Sequence, residues 1–258
     1  MLKRLVKVTL FIVILLLFLY ANNQLIVITD YTIESEKLPK AFNNYRIVQI
    51  SDLHDTTFGN NQERLVEKVR ATNPDAIFLT GDLIDSRRYN LQNSLRAVEQ
   101  FVTFSDVYYV LGNHEVAVNR IDEIYRALEH LGVQILPNQS LEIERDGERL
   151  TIIGIEDPLI GKEPQQMLDE AMATVDDQPF KILLSHRPEI FETYVENTID
   201  GVFTGHAHGG QIRLPFIGGL FAPGQGWLPN KTSGVYEADE TKMIISRGLG
   251  NSVLKQRL

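Results

Sequence analysis

Residues 76–85 read AIFLTGDLID: an apolar, strand-forming run, then Gly81, then Asp82 and Asp85. A short apolar run ended by a turn residue reads as a strand buried on both faces. Asp82 then stands at the carboxyl end of that strand. The same order recurs in VQISDLH (48–54), VLGNHE (110–115), LLSHRPE (183–189) and FTGHAHGGQ (203–211), each with polar residues directly behind an apolar run. Working outward, strand-like runs occupy 46–50, 76–80, 107–111, 150–154, 181–185, 202–204 and 243–246. Helical patterns lie at 62–71, 91–101, 121–131, 165–175 and 188–197. This alternation predicts an α/β chain with helices covering sheet faces. The crevice beyond the carboxyl ends of the strands is where open α/β sheets place their sites. The segment 141–150 holds ERDGER, a hairpin turn between two strands, and 215–227 reads as a long structured loop.

Composition narrows the chemistry. The 258 residues carry 25 Lys+Arg against 34 Asp+Glu, a net charge of −9, and 43% hydrophobic residues. That content supports a folded core and argues against disorder. The acidic balance predicts no nucleic-acid-binding surface, which would need a basic face. With no cysteine, disulfides, Fe–S clusters and thiol nucleophiles are excluded, so any metal must be held by His, Asp, Glu or Asn.

The amino terminus reads as a membrane device. Lys3, Arg4 and Lys7 precede an uncharged run at 8–21, VTLFIVILLLFLYA. That run covers roughly 21 Å as a helix, or about 26 Å counted from Leu5, against a hydrocarbon core of ~30 Å. The expectation is an uncleaved signal anchor or transmembrane segment over residues 1–24, followed by one domain over 25–258. A cleaved signal peptide is the second reading, disfavoured by Leu19 just ahead of Ala21; a core helix is the third. Cations ahead of the run place the N-terminus in the cytoplasm and the domain outside it.

Each chemical motif has a plain reading when taken alone. Asp52 or Asp82 after a strand suits a turn or a helix cap, Asn113 suits a turn, and a lone His186 suits an ordinary packed histidine. Asp52 with His54, and His206 with His208, stand at i, i+2, a spacing that puts both side chains on one side of an extended chain. The conjunction carries more weight than any member. Five of the six histidines lie in these strand-end motifs, and only His130 falls in a helix. That pattern predicts one shared metal site.

The ordered set D-x-H, G-D-x-x-D, G-N-H-E, H and G-H-x-H, spanning residues 52–208, resembles the calcineurin-like metallophosphoesterases. The continuation GHAHGGQIRLP, TSGVY and SRGLGNS is similar to their bacterial branch of membrane-associated or exported phosphoesterases. The resemblance implies a four-layer α-β-β-α sandwich with a two-metal centre at one end of the sheets. It implies that Asp52, His54 and His208 hold one metal, that Asn113, His186 and His206 hold the second, and that Asp82 bridges them. Mixed imidazole and carboxylate ligands suit manganese, iron or zinc better than calcium or magnesium. The implied activity is hydrolysis of phosphate mono- or diesters or pyrophosphates by a hydroxide shared between the ions. By the same resemblance His114 lies beside the metals without binding them, and stabilises the transition state or protonates the leaving oxygen.

Other positions are less defined. Asp85 either orients His114 or a ligand, or caps a helix. Gln211 and Arg213 read as surface residues or as phosphate contacts, and Glu115, Asp55 and Arg187 receive no role. A lipid-linked pyrophosphatase with a UDP-diacylglucosamine-type substrate is the narrower alternative, although a cytoplasmic nucleotide would conflict with the expected orientation. An inactive metal-bound scaffold is the alternative of another class. Members of the branch continue past SRGLG with a further strand, whereas this chain stops at Leu258, so the expectation is an absent edge strand or a fragment. Substrate choice falls to loops, above all 212–228 with Phe216, Leu220, Phe221 and Trp227. That loop reads as packed on the core, or as an apolar lip for a bilayer or a lipid tail.

Overall fold

The computed structural model describes residues 2–175, 180–211, 213–214 and 218–250. In chain order the first elements are α1 (Leu2–Gln24), β1 (Ile47–Ile50), α2 (Glu63–Ala71), β2 (Ala76–Thr80), α3 (Leu91–Phe101), β3 (Asp106–Val110), α4 (Asn113–Val118), α5 (Ile121–His130) and β4 (Gln134–Ile135). Then come β5 (Gln139–Arg145), β6 (Glu148–Gly154), α6 (Pro164–Met172), β7 (Phe180–Leu184), α7 (Phe191–Glu196) and β8 (Gly201–Thr204). Two-residue strands β9 (Arg213–Leu214), β10 (Gly218–Gly219), β11 (Phe221–Ala222) and β12 (Gly226–Trp227) precede β13 (Gly234–Ala238) and β14 (Thr241–Ile245).

Four strands form a parallel sheet in the order β1-β2-β3-β4. Six form a second sheet, β13-β14-β8-β7-β6-β5, parallel in its centre and antiparallel at both edges. The two-residue period of a strand assigns each side chain to a layer. Ile77 and Leu79 of β2, with Val107 and Tyr109 of β3, pack against Leu65, Val69, Leu95, Val98, Ile124 and Leu128 of the helices α2, α3 and α5. Their neighbours Phe78, Tyr108 and Val110 point the other way and meet Ile152, Ile182, Leu184 and Phe203 of the second sheet. The outer face of that sheet, through Ile153, Leu183, Val202 and Met243, is covered by Met167, Leu168, Phe191 and Tyr194. The layers therefore run helix, sheet, sheet, helix. At the centre Phe78 meets Phe203 and Tyr108 edge-on, with ring centroids 5.1 and 5.7 Å apart.

The expected strands and helices are present, with boundaries displaced by at most three residues. The hairpin closes through Arg145 opposite Glu148, and its two turn residues, Asp146 and Gly147, have φ of 51° and 79°. Both are left-handed, as a tight hairpin turn requires. The segment expected as one loop contains two small hairpins, β9–β10 and β11–β12. Within it Phe221 is half-buried and stacks edge-on with Trp227 at 5.7 Å, while Phe216 lies outside the described residues.

The amino-terminal expectation fares differently. Helix α1 forms over the apolar run and leaves side chains from Leu5 to Leu17 exposed. Among the described residues, however, no helix is long and apolar enough to cross a membrane; the side chains of residues 18–23 are not among them. The transmembrane part of the expected fold is thus not found in the structure. The expectation of a missing last strand concerns residues beyond 250, outside the described set.

Candidate metal centre

Five strand ends meet at one place. The segments after β1, β2 and β3 of the first sheet and after β7 and β8 of the second carry all seven candidate ligands. Asp52, Asp82 and His186 are at most 1% exposed, and His54 and His206 are buried. Five of the seven sit in the left-handed backbone region: Asp52 (φ 53°), His54 (48°), Asp82 (51°), His206 (63°) and His208 (50°). Such a conformation costs a non-glycine residue of order 1–3 kcal/mol and persists only where the surroundings impose it. It also corrects the extended-chain argument for the two i, i+2 pairs. Neither Asp52–His54 nor His206–His208 is extended; left-handed turns aim these side chains.

Backbone and carboxylate contacts impose those turns. Asp52 N–H donates to Gly81 C=O and His54 N–H to Asp82 C=O, each at 3.0 Å, so the first loop is stitched along the second. Glu115, buried beneath them, accepts from Gly112 N–H (2.8 Å), Asp82 N–H (3.0 Å) and Ile84 N–H (3.1 Å). It fixes the strand ends that carry Asp82 and Asn113. Gly81 allows the close approach: its φ is 86°, and a Cβ there would lie 2.6 Å from His186 Nδ1. Gly205 is as confined, since a Cβ would overlap the Ser51 hydroxyl beside Asp52.

The donor atoms fall into two sets that share one carboxylate. In the first, His208 Nε2 lies 3.2 Å from Asp52 Oδ1 and 3.1 Å from His54 Nε2, which is 3.7 Å from Asp82 Oδ2. In the second, His186 Nε2 lies 3.3 Å from Asp82 Oδ2, 3.2 Å from Asn113 Oδ1 and 3.2 Å from His206 Nδ1. Donors about 2.0–2.2 Å from one cation stand roughly 3–3.5 Å apart, so the arrangement fits metal binding, and His/Asp groups of both sets lie close enough for it. The other Asp82 oxygen, Oδ1, is taken by His114 N–H at 2.8 Å.

Electrostatics agrees with the geometry. Among the described residues the ion-pair partners of Asp52 and Asp82 are all histidines. Buried carboxylates without Lys or Arg ask for cations. Burial pushes His54 down to about 4, against the pull of Asp82, so the ring is neutral and able to ligate. Burial, with His186 and Arg187 adding to it, holds His206 well below the ordinary histidine value. His186 differs: burial opposes its charge, but Asp82 prevails and raises it to about 10. Asp82 in turn is held well below the carboxylate range by its histidines, despite burial. A proton between these two does what a metal ion would do in its place.

The remaining residues resolve as follows. His114 is partly exposed, its ring 4.5 Å from that of His54 and its Nε2 4.0 Å from Asp82 Oδ2. Its Nδ1 accepts from Ser86 N–H at 3.0 Å. Asp85 accepts from Arg87 N–H and Arg88 Nε, both at 2.9 Å, and stands 3.8 Å from His114 Nδ1, so its hydrogen bonds serve the local turn. Asp55 accepts from Asp85 N–H, Asn90 N–H and the Ser94 hydroxyl. Gln211 is half-buried, and the side chain of Arg213 is outside the described set. Sequence reasoning passed over Glu115, Asp55 and Arg187. For Glu115 a signal existed: a glutamate three residues after a helix-opening Gly112 is half of a capping box.

Two sheets between helices, with two histidine–carboxylate donor sets meeting at one aspartate, define a metal-dependent hydrolase of the α/β sandwich type. The family model for calcineurin-like phosphoesterases matches residues 45–210. The chain belongs to that family and is a hydrolase of phosphoester bonds. The uncharacterized metallophosphoesterase YkuE of Bacillus subtilis is 27% identical over 245 residues, 92% of this chain and 83% of that protein. Uncharacterized metallophosphoesterase Cj0846 of Campylobacter jejuni is 31% identical over 221 residues, 83% of this chain but 56% of that protein. A transmembrane protein with metallophosphoesterase domain from Danio rerio is 28% identical, with 57% of its length matched. The chain thus spans little more than half of the last two. The crystal structure of TT1561 from Thermus thermophilus shares the fold, with a TM-score of 0.55 at 14% identity over 80% of this chain and 91% of its own.

Proposed function

We propose that the chain hydrolyses phosphate esters or pyrophosphates at two divalent cations, one held by Asp52, His54 and His208 and the other by Asn113, His186 and His206, with Asp82 shared. The observation that supports this most directly is Asp82 Oδ2, which faces His54 Nε2 at 3.7 Å and His186 Nε2 at 3.3 Å. The donor chemistry suits manganese, iron or zinc. When bound, the two ions supply a nucleophilic water at neutral pH and neutralise charge on the phosphoryl oxygens. The side chains do the rest. Asp82 keeps Oδ1 on the His114 amide, which fixes the direction of Oδ2. Because Ser86 N–H donates to His114 Nδ1, the ring proton sits on Nε2, facing the site. In that tautomer His114 is a hydrogen-bond donor to a phosphoryl or leaving oxygen, which favours transition-state stabilisation over proton transfer.

A narrower reading has residues 1–24 as a membrane anchor, an extracytoplasmic domain, and a lipid-linked pyrophosphate as substrate. It is favoured by the exposed apolar face of α1, by the Danio rerio relative's description as a transmembrane protein, and by Trp227 and Leu228, which are 78% and 66% exposed on the loop after the site. The decisive assay is hydrolysis of an aryl phosphodiester with added Mn²⁺. Wild type should turn over, and His114→Ala should lose about 10²–10³-fold in rate with its metal content unchanged. Equal rates for wild type and Asp82→Asn would refute the mechanism. Metal binding without hydrolysis would favour the scaffold reading, and a UDP-linked lipid tested against soluble nucleotides separates the two substrate classes.

A further inference from the structure

His206 differs from His186 in what its outward nitrogen touches. His206 Nδ1 turns into the site, and its Nε2 lies 2.8 Å from Arg187 Nη1. A guanidinium only donates, so this contact requires a bare Nε2 and leaves the ring proton on Nδ1. Nδ1 is the atom that must be bare to hold an ion. His186 shows the opposite arrangement. Its Nδ1 faces the Thr80 carbonyl at 2.8 Å and donates there already, so an ion has only to displace the proton that Nε2 shares with Asp82, and no new acceptor is needed. A metal-bound histidine almost always donates its other ring N–H to a carboxylate, carbonyl or water.

An acceptor for His206 stands nearby. Glu189 Oε1 is 4.0 Å from His206 Nε2, and Glu189 Oε2 is buried with no hydrogen-bond partner among the described residues. Gly224 closes over the carboxylate, since a Cβ there would overlap Oε1. Arg187 reaches Glu189 Oε1 through the same Nη1 at 3.2 Å, and is otherwise anchored by Nε and Nη2 to the two oxygens of Asp157, at 2.5 and 2.9 Å. Those two bonds survive if Nη1 alone releases His206.

We propose that Glu189 is a positioning residue for the second cation. When an ion takes His206 Nδ1, the ring proton is carried on Nε2, and Glu189 accepts it in place of the contact with Arg187. The ring stays neutral: one proton leaves Nδ1 and one is taken up at Nε2. In the set built on Asp52, His54 and His208 neither His54 Nδ1 nor His208 Nδ1 has a hydrogen-bond partner among the described residues, so the support from Glu189 acts on the second cation alone. This inference rests on the two-cation reading above.

The test is calorimetric titration of Zn²⁺, a diamagnetic ion suited to the same donors, into the metal-free full chain, with ¹⁵N shifts of the histidine rings. Wild type should bind two ions, with the His206 ring protonated at Nε2 once loaded. Glu189→Leu should keep the first site and lose about 10–100-fold at the second. Glu189→Gln, which keeps a carbonyl acceptor, should stay close to wild type. Wild-type affinity at the second site in Glu189→Leu would overturn the proposal. If that variant fails to fold, a loaded wild type whose His206 Nε2 lacks a proton overturns it instead. A wild type that binds no pair of ions overturns the two-cation reading, a different result from either.

Discussion

Asp82→Asn separates a residue that holds metal from one that holds the fold. The asparagine is isosteric, so it can keep its oxygen on His114 N–H, but it then presents an NH₂ group where Oδ2 faced His54 and His186. Flipped, it sets that NH₂ against the His114 amide. Either way both donor sets lose their shared carboxylate. A unit charge pair at 4 Å and an effective dielectric of 20 is worth ~4 kcal/mol, and the partner here is divalent; each site should weaken by about 10³-fold or more. At an ion concentration of 100 times Kd, two sites stabilise wild type by about 5 kcal/mol. For a chain of this size that raises Tm by roughly 10–20 °C. In the variant the same addition should raise Tm by almost nothing. Without metal the variant should melt within a few degrees of wild type, because losing the buried Asp82–His186 charge pair lets His186 shed its proton, and neutral replacements of buried pairs are often tolerated. Scanning calorimetry in EDTA and in Mn²⁺, with elemental analysis of the bound metal, reads both quantities. A full metal-dependent rise in the variant would refute the assignment; a collapse of its metal-free Tm would make Asp82 a structural residue.

Two further outcomes concern the groups beneath the site. Glu115→Ala strands the amides of Gly112, Asp82 and Ile84, three buried donors, at about 1–3 kcal/mol each. Urea unfolding should show a loss of about 3 kcal/mol or more together with lost metal affinity, and unchanged stability would dismiss the clamp. Asp85 titrates below its usual value of 3.8, because Arg87 N–H and Arg88 outweigh the burial that opposes its charge. A lowered carboxyl stabilises the fold above its unfolded pKa and loses that contribution as pH falls through the folded one. In the metal-free protein the Tm advantage of wild type over Asp85→Asn should therefore be full at pH 5 and shrink below 3.8; an advantage independent of pH would exclude the ionic role.

How much of this was legible in the chain depends on whether a feature is local. The strand over 76–80 and the helix over 91–101 came out at their observed limits, because a run such as AIFLT ended by Gly81 has one easy conformation. Short or weakly patterned elements were not marked: β4 is two residues, α4 is six, and β13 alternates between half-buried and exposed rather than between core and solvent. The two edge pairings of the second sheet also depend on register across distant segments, which periodicity alone does not encode. The resemblance, and not the pattern, supplied the expectation that two sheets would stack.

The site divides along the same line, and the division explains why it works. Which residue types stand behind which strands is a local property, so Asp52, His54, Asp82, Asn113, His186, His206 and His208 could be named in advance. What aims them is not local. The left-handed turns at five of these positions are held by Glu115 from the helix after β3, by Gly81 pressed against His186, and by the 51–55 loop bonded along 81–83. Asp157, after β6, and Arg187, after β7, become partners only because those strands pair in parallel register, Gly154 beside Leu184. An i, i+2 spacing in an extended chain would also put two side chains on one side, but with the freedom of a strand end. Two left-handed residues locked by backbone bonds remove that freedom before any ion arrives, so less ordering is left to be done on binding. The strain that sequence patterning could not show is thus part of what lets two donor sets converge on a single oxygen of Asp82.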